Sequence, residues 1–512
     1  MRKAIGIDLG TTFSAIAELD DLGNPEVLTS IDNNSKITAS AVYIGKDNNV
    51  IVGDKAKDAS VAEPKRVIKE VKREMENDVC YDLKKGKWIP SKDAADESYT
   101  PSQISSLILK KLKENTSDVK KVVVTVPALF AEKARSATVD AIQLADMEYL
   151  ELINEPTAAI LHYANLPGVS IGGRVLVFDL GGGTFDVTIA KVKDKKVDII
   201  TSRGDKYLGG TDFDREILNL INKQYKKEKG KEIDVNDKKS LDVCEKIKRI
   251  LSSRDKAAEM IDGPVGPLKV EVTREEFEKS IQIYLEKIKM LIEDALETAD
   301  CEPDQISQTL LVGGSTRMPC VTELIKKIMG KPPVKGVNVD EAVASGAAIY
   351  AGLLQKDDLN AAQKKALDKV ELADVCNHYL GTIALLRDEA RNMERMANAV
   401  IIPKDTKLPC SKTEVFQTIQ DNQKSIKCSV TQSEGREKDV EFVNIIYEGN
   451  LKLPGDRPAG QPIEVTYSYD QSGVIHCEFL DVSSGKKHEI DLRPEGSKNV
   501  EELKEDLDFT IQ

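Results

Sequence analysis

The stretch FDLGGGTFD at 178–186 places three glycines between Asp179 and Asp186, directly after the apolar run VLVF. Glycine weakens any strand or helix it interrupts, so a run of three serves a shape that side chains would block. A strand turning sharply through glycine aims successive backbone N–H groups outward, where a phosphate approaches them closely. Asp179 and Asp186 cannot bind phosphate themselves, but with waters they can hold a hard cation that bridges phosphates. A second copy of the pattern, GIDLGTT at 6–12, brings Asp8, Gly10, Thr11 and Thr12, and Thr184 closes the first copy. Two facing turns of this kind describe a metal–nucleotide site in which the threonine hydroxyls are further donors. A third turn, LVGGSTR at 311–317, adds Gly313, Gly314 and Ser315, with Arg317, whose flat guanidinium can stack on a base. Neither G-x-x-x-x-G-K-[ST] nor G-x-G-x-x-G occurs, so this is neither a Walker loop nor a dinucleotide fingerprint.

Positioning these turns requires strands ending at a cleft. Residues 1 to about 355 alternate β-rich runs (AIGIDL, KVVVTVPAL, RVLVFDLG, QTLLVGG) with helical patterns, which predicts an α/β region. Phe277, Ile281, Ile288, Leu291, Ile292 and Ala295 recur at helical spacing and predict one buried stripe. The repeated Asp-Leu-Gly turn suggests two halves of a duplicated domain facing each other across the cleft. Residues 355–374 read as a helix end and connector. Beyond them TEVFQTI, SIKCSV, QPIEVTYSY and GVIHCEFL alternate with turn signals and predict an antiparallel β domain.

Bulk composition narrows the function classes. With 512 residues several domains are expected. Lys plus Arg minus Asp plus Glu is 73 − 86 = −13, which argues against general affinity for nucleic acid or acidic membranes. No apolar run reaches membrane-spanning length and no secretory signal opens the chain, so the expected setting is the cytoplasm. The eight cysteines are scattered without C-x-x-C and read as buried thiols. His476 and Cys477, neighbours in a strand, should point to opposite faces.

GIDLGTT (6–12), VVTVPALF (123–130), INEPTAA (153–159), FDLGGGTFD (178–186), GGTDFD (209–214), LVGGSTR (311–317) and DEAVASGAA (340–348) occur in an order that resembles the ATPase domain of the seventy-kilodalton heat-shock chaperones, the DnaK family. IPKDTKLPCSKTEVFQTIQDNQ (402–423) and IEVTYSYDQSGVIHCEFLDVSSGK (463–486) resemble that family's β-sandwich peptide-binding domain. The resemblance implies an α/β actin-like, two-lobed ATPase domain of duplicated ribonuclease-H-like halves (1–358), a linker (359–376), an all-β sandwich (377–495) and a short C-terminal helix remnant (496–512). It implies an ATP-dependent chaperone that hydrolyses ATP and binds exposed hydrophobic peptide segments. Asp8, Glu155 and Asp179 would organise Mg²⁺ through water, with Asp186 and Asp8 facing potassium. Lys65, in EPKRVI, would stand beside the γ-phosphate, and Thr184 would contact it. Gly181, Gly182, Gly183, Gly209 and Gly210 belong to the phosphate side. Glu245, Lys248 and Ser252 would meet ribose and adenine, Arg249 and Arg317 would enclose the base, and Gly314, Ser315 and Asp340 would complete the adenosine side. Pro127 and Arg135, with Asp374 in the linker, match the allosteric relay. Ile401, Phe416, Ile419, Ile426 and Cys428 match the peptide groove. Implied partners are unfolded peptides, a J-domain co-chaperone and a nucleotide-exchange factor.

Several departures qualify the resemblance. The linker VELAD carries Glu371, costly to bury unpaired. Glu151 stands where the family often has a basic residue for the J-domain partner, a reversal expected to act as a rim charge. The segment TIALLRDEARNMERMANAVI is longer and more charged than the family's arch over the peptide. The sequence ends about where the helical lid should begin, so a lidless variant with fast peptide release is expected. Two rivals remain at this level: a low-turnover relative acting as exchange partner or holdase, and a small-molecule kinase of the same superfamily, which leaves the β domain without a role.

Overall fold

The computed structural model describes residues 4–511 except 48, 117–120, 167–170, 335–337, 389–392, 471–473, 493–502, 505, 506 and 508. The duplication expected from the two turns appears as repeated topology. In the first lobe, strand Ile5–Asp8 pairs antiparallel with Phe13–Leu19 and parallel with Lys121–Val126. In the second, Gly173–Leu180 pairs antiparallel with Phe185–Lys193 and parallel with Ile306–Val312. Ile5–Ile7 and Val175–Phe178 are buried and apolar up to the Asp that follows each, as a strand covered on both faces must be. The orders are Glu148–Asn154, Lys121–Val126, Ile5–Asp8, Phe13–Leu19, Pro25–Val27 in one lobe, with Thr38–Ala39 also pairing with Phe13–Leu19, and Ile306–Val312, Gly173–Leu180, Phe185–Lys193, Lys196–Asp205, Glu371–Ala373 in the other.

Smaller units sit above each lobe. The first carries a sheet built on Ala41–Ile44 and a three-stranded sheet around Val79–Asp82. The second carries the hairpin Lys256–Gly263/Gly266–Thr273 packed with helices Gly210–Lys229 and Lys238–Leu251. The expected apolar stripe is present, with Phe277, Ile281, Ile288, Ile292 and Ala295 buried and Leu291 partly so. It spans two helices, Arg274–Ser280 and Gln282–Thr298, rather than one, with Ile281 at the junction.

The C-terminal β domain is a pair of four-stranded antiparallel sheets, one ordered Met393–Ile402, Tyr379–Asp388, Ser425–Ser433, Asn444–Lys452, the other Cys410–Gln417, Pro462–Tyr469, Ile475–Asp481, Lys486–Leu492. Their inner faces share a core of Leu380, Ile402, Val430, Val465, Tyr467 and Phe479. The long charged segment forms the hairpin Tyr379–Asp388/Met393–Ile402; its tip lies outside the described residues. Cys477 faces the core while His476 faces out toward Asp470 and Asp491, as alternation requires. All eight thiols are free, six of them buried.

The linker expected at 359–376 carries regular structure: helix Ala361–Leu367 buries Leu367, Leu359 and Val370 are buried beside the first-lobe and second-lobe strands, and Glu371–Ala373 adds as a parallel strand beside Lys196–Asp205. Glu371 escapes the burial cost by lying outward, 62 % exposed, and paired with Lys196 at 2.7 Å. Of the expected C-terminal helix remnant 496–512, most lies outside the described residues; residues 503 and 504 are helical, and Thr510–Ile511 is a strand on the first lobe, parallel to Asn49–Val52.

Candidate functional site

Both glycine turns open into one cavity of about 380 Å³ between the lobes. Asp8, Gly10, Thr11 and Thr12 line it from the first lobe and Asp179, Gly181, Gly182 and Thr184 from the second. The turns are so close that a Cβ on Gly182 would lie 1.8 Å from Thr12 Oγ1, so only glycine fits there. A Cβ on Gly183 would lie 2.7 Å from the Thr11 methyl, and Gly209 packs on Gly182 and Gly183. Helix Gly210–Lys229 starts at this point, with the Gly210 and Thr211 N–H groups donating to the Gly181 and Gly182 carbonyls. The third turn needs a left-handed glycine, Gly313 at φ 82°, because its approach to the Leu180 carbonyl leaves no room for a side chain. Ser315 Oγ then donates to the Gly181 carbonyl at 2.8 Å, tying the second and third turns together.

The far end of the cavity is lined by Glu245, Lys248, Arg249, Ser252, Gly314, Arg317 and Asp340, the set expected for an adenosine. Arg317 is held flat by a two-pronged pair with Asp340 at 3.0 and 2.8 Å. Such a fork fixes the guanidinium plane that would cover a base. Lys248 is fixed by Asp214 at 2.9 Å and by the Gly210 carbonyl at 2.7 Å. Glu245 bridges the lobes to Lys57 at 2.9 Å.

At the other end Asp8, Glu155 and Asp179 line the cavity, and Asp186, which does not line it, interacts with Glu155 and Asp179; all four are buried or nearly so. Burial, then the Glu155 charge, pushes Asp8 up to about 7 and Asp186 up to about 8, and the same causes raise Asp179 well above the usual carboxylate range. Thr125 Oγ1 donates to Asp8 at 3.1 Å, whereas Asp186 Oδ1 is buried without a hydrogen-bond partner. Four acids against one lysine lining this end of the cavity, with Lys404 acting on Asp186 from outside it, leave the site short of positive charge, which is the condition a cation would relieve. No group of three or more His, Cys, Asp or Glu among the described residues is arranged to hold a metal ion by side chains alone. An ion here would therefore be held through water and phosphate oxygens as well.

That lysine is Lys72. Its ammonium pairs with Glu155 and sits 5.9 Å from the Phe130 ring, and it lines the cavity. Lys65 does not line it: Lys65 lies on the short turn Pro64–Arg66 against Gly86, with its carbonyl accepting from the Tyr81 hydroxyl. The expectation fell on the first of two Lys-Arg pairs seven residues apart. No residue type separates them; the structure does, because Val71 and Met75 are both buried and carry Lys72 inward with them.

The expected relay residues are joined in space. The Ala128 N–H, next to Pro127, donates to Asp186. Phe130 N–H donates to the Pro127 carbonyl and Arg135 Nε to the Phe130 carbonyl. Arg135 also reaches Asn154 Oδ1 at 2.6 Å, and Asn154 and Thr157 donate to Asp374 at 3.3 and 3.4 Å. Glu151 lies nearby but is not a rim charge. It is 7 % exposed, accepts from the Tyr149 hydroxyl and the Leu152 N–H, and is pushed up to about 7 by burial.

The peptide-groove residues are placed differently from one another. Ile401 and Cys428 are buried in the sandwich core, Phe416 and Ile426 pack partly against it, and Ile419 is 60 % exposed. Exposed apolar side chains on the same domain that sequence reasoning missed include Met393, Met396, Val415, Phe442 and Ile445.

Comparison with known proteins agrees with this construction. The family described as Hsp70 protein matches residues 4–508. The chain is similar to the chaperone protein DnaK of Thermotoga neapolitana, 37% identical over 520 residues covering 98% of this chain and 82% of that protein. It is likewise similar to the chaperone protein DnaK of Thermosipho africanus, 37% identical over 504 residues covering 95% and 79%. The chain therefore belongs to the Hsp70 family and is an ATP-dependent chaperone that hydrolyses ATP.

Proposed function

We propose that the interlobe cavity binds ATP and ADP and that its state is passed through Arg135 and Asp374 to a peptide-binding β-sandwich. The triphosphate would lie between the turns Gly10–Thr12 and Gly181–Thr184, with the adenosine toward Arg317, Arg249, Glu245, Lys248 and Ser252. Mg²⁺ bound near Asp8, Glu155 and Asp179 would neutralise phosphate charge, and potassium beside Asp8 and Asp186 would do the same at lower charge. The unpartnered Asp186 oxygen and the acids raised by burial support that donor set. Lys72, rather than Lys65, takes the place beside the γ-phosphate. Phosphoryl transfer to water depends on charge stabilisation and alignment more than on covalent chemistry, and Lys72 and Thr184 are the groups positioned for it.

The single observation that carries coupling is the unbroken chain from Asp186 through residues 127–130 and Arg135 to Asn154 and Asp374. Its far end is the linker strand, and across the domain interface Arg203 pairs with Asp405 at 3.0 Å and the Gln432 side chain accepts from the Glu132 N–H at 2.9 Å. Docking of this kind fits the nucleotide-bound arm of a two-state switch. Client segments would meet the exposed Met393, Met396, Val415, Ile419, Phe442 and Ile445 as well as Phe416 and Ile426, an extended peptide being held by main-chain bonds plus apolar contacts. A J-domain co-chaperone and an exchange factor are proposed partners, and the cytoplasm is the proposed setting; among the described residues no helix is long and apolar enough to cross a membrane. Fluorescence anisotropy of a labelled apolar peptide tests the reading: added MgATP should lower its affinity, and an affinity indifferent to nucleotide would overturn the coupling.

A further inference from the structure

After its last sandwich strand, Lys486–Leu492, the chain comes back to the first lobe. Thr510 pairs with Asn49 and Ile511 with Val50, as a parallel strand on the outer edge of Asn49–Val52. Phe509 lies 5.5 Å from the Tyr99 ring at 58°, and both Phe509 and Ile511 pack on the first-lobe core. Leu507 is buried. Gln103 Nε2 donates to the Leu503 carbonyl at 3.1 Å, and Lys504 pairs with Asp146 at 3.0 Å. The contacts therefore come from four separate parts of the lobe: a sheet edge, the strand Ser98–Tyr99, the helix Pro101–Lys113 and the turn at Asp146.

An open sheet edge is a template for a further strand, and a peptide adding there gains main-chain hydrogen bonds plus pockets for alternate side chains. Phe509 and Ile511 stand two residues apart, the spacing that puts both on one face of an extended segment, while Leu507 is buried in the turn before them, its N–H donating to the Lys504 carbonyl. The sandwich is thus joined to the ATPase domain at both of its ends by the same device. Glu371–Ala373 adds parallel to the second-lobe sheet, and Thr510–Ile511 adds parallel to a first-lobe sheet.

We propose that the edge at Asn49–Val50, with Tyr99 and Gln103, is a docking site for a terminal strand of Phe-x-Ile character, and that Leu503, Lys504, Leu507 and Phe509–Ile511 of this chain occupy it as a second tether for the β-sandwich. The ten residues 493–502 span at most about 36 Å when fully extended. With the tail seated, the sandwich stays within that reach of the first lobe even when the linker strand leaves its own edge. Re-docking is then an intramolecular event at high effective concentration. Because the two anchors sit on different lobes, opening or closing of the cleft changes the distance between them.

Hydrogen exchange on the whole chain tests the site, with two variants: Phe509→Ala/Ile511→Ala, and a chain ending at Leu492. Both should raise exchange of the residue 49–51 amides by about tenfold, and a synthetic peptide of residues 503–512 added to the shortened chain should restore protection. Unchanged exchange at 49–51 in both variants, or a peptide that protects nothing there, overturns the docking site. Spin-label distances between the sandwich and the first lobe in ADP test the tether separately. They should broaden to longer values in both variants, and identical distributions overturn it. Neither readout depends on hydrolysis, so failure here is distinguishable from failure of the nucleotide reading.

Discussion

The nucleotide cavity and the pocket behind the linker are of similar size, about 380 and 320 Å³, and both hold buried acids, yet they treat those acids in opposite ways. In the linker pocket Asp374 accepts from Val375 N–H, Asn154 and Thr157 with Arg135 close by, and Glu151 accepts from Leu152 N–H and the Tyr149 hydroxyl. At the cavity Asp8 and Asp179, with Asp186 beside them though outside the lining, crowd Glu155; Lys72 is the lysine that lines this end, Lys404 acts on Asp186, and an oxygen of Asp186 has no partner. A buried polar group that is satisfied holds a joint rigid, whereas one left short of partners marks where a ligand completes the structure. The first pocket is built to transmit and the second to receive.

The sharpest way to break that contrast is to remove the cavity's lysine. Lys72→Ala should slow single-turnover ATP hydrolysis by about 10²–10³-fold, since it removes preorganised positive charge where the transition state develops negative charge. Lys65→Ala should leave the rate within about twofold. Equal losses in the two variants would return the role to Lys65.

On the linker side, Arg135→Ala should leave hydrolysis within a few-fold but reduce the ATP-driven loss of peptide affinity, at a coupling of about 1–3 kcal/mol. Anisotropy titrations with and without nucleotide measure it, and full coupling in the variant would mean that the hydrogen-bonded chain is only structural.

A third, smaller effect is tied to pH. Glu151 keeps its proton in the folded chain up to about pH 7, whereas an unfolded chain releases it near 4.5. Between those values the folded state binds more protons, so this group makes stability fall as pH rises from 4.5 to 7. Glu151→Gln should flatten that slope and gain about 1–3 kcal/mol at pH 8. Denaturant midpoints at pH 5 and pH 8 for both chains check it: the gain should be confined to the higher pH. The smallest effect is expected from Glu371→Ala, within about 1 kcal/mol, because the Lys196 pair is exposed and screened. A larger loss would mean that the linker strand depends on charge rather than on its main-chain pairing.

What was legible in the sequence follows the same physical division. The glycine turns could be read because close approach tolerates no other residue, as Gly182 against Thr12 shows, and the order of motifs carried Glu155, Arg317 and Asp340 along with them. Lys72 could not be separated from Lys65 by residue type, since both precede arginine. Which pair turns inward depends on the burial of Val71 and Met75, a tertiary fact. In the tail the helical reading of the Glu- and Lys-rich run falls mostly outside the described residues, while the alternation of Phe509 and Ile511 was a short strand signal that only the pairing with Asn49–Val50 makes visible. Ile401 and Cys428 illustrate the reverse error: in a sandwich, core and groove positions alternate along the same strands, and only the structure says which face is covered.

Calorimetric titration of the whole chain with ATP, run with Mg²⁺ and again with the divalent ion chelated, tests the central claim most directly. Binding should be tight with the ion and weakened at least about tenfold without it, because the acids around Glu155 would otherwise repel the phosphates. Heat that is absent in both titrations, or identical in both, would contradict a cavity built around a cation-bridged triphosphate.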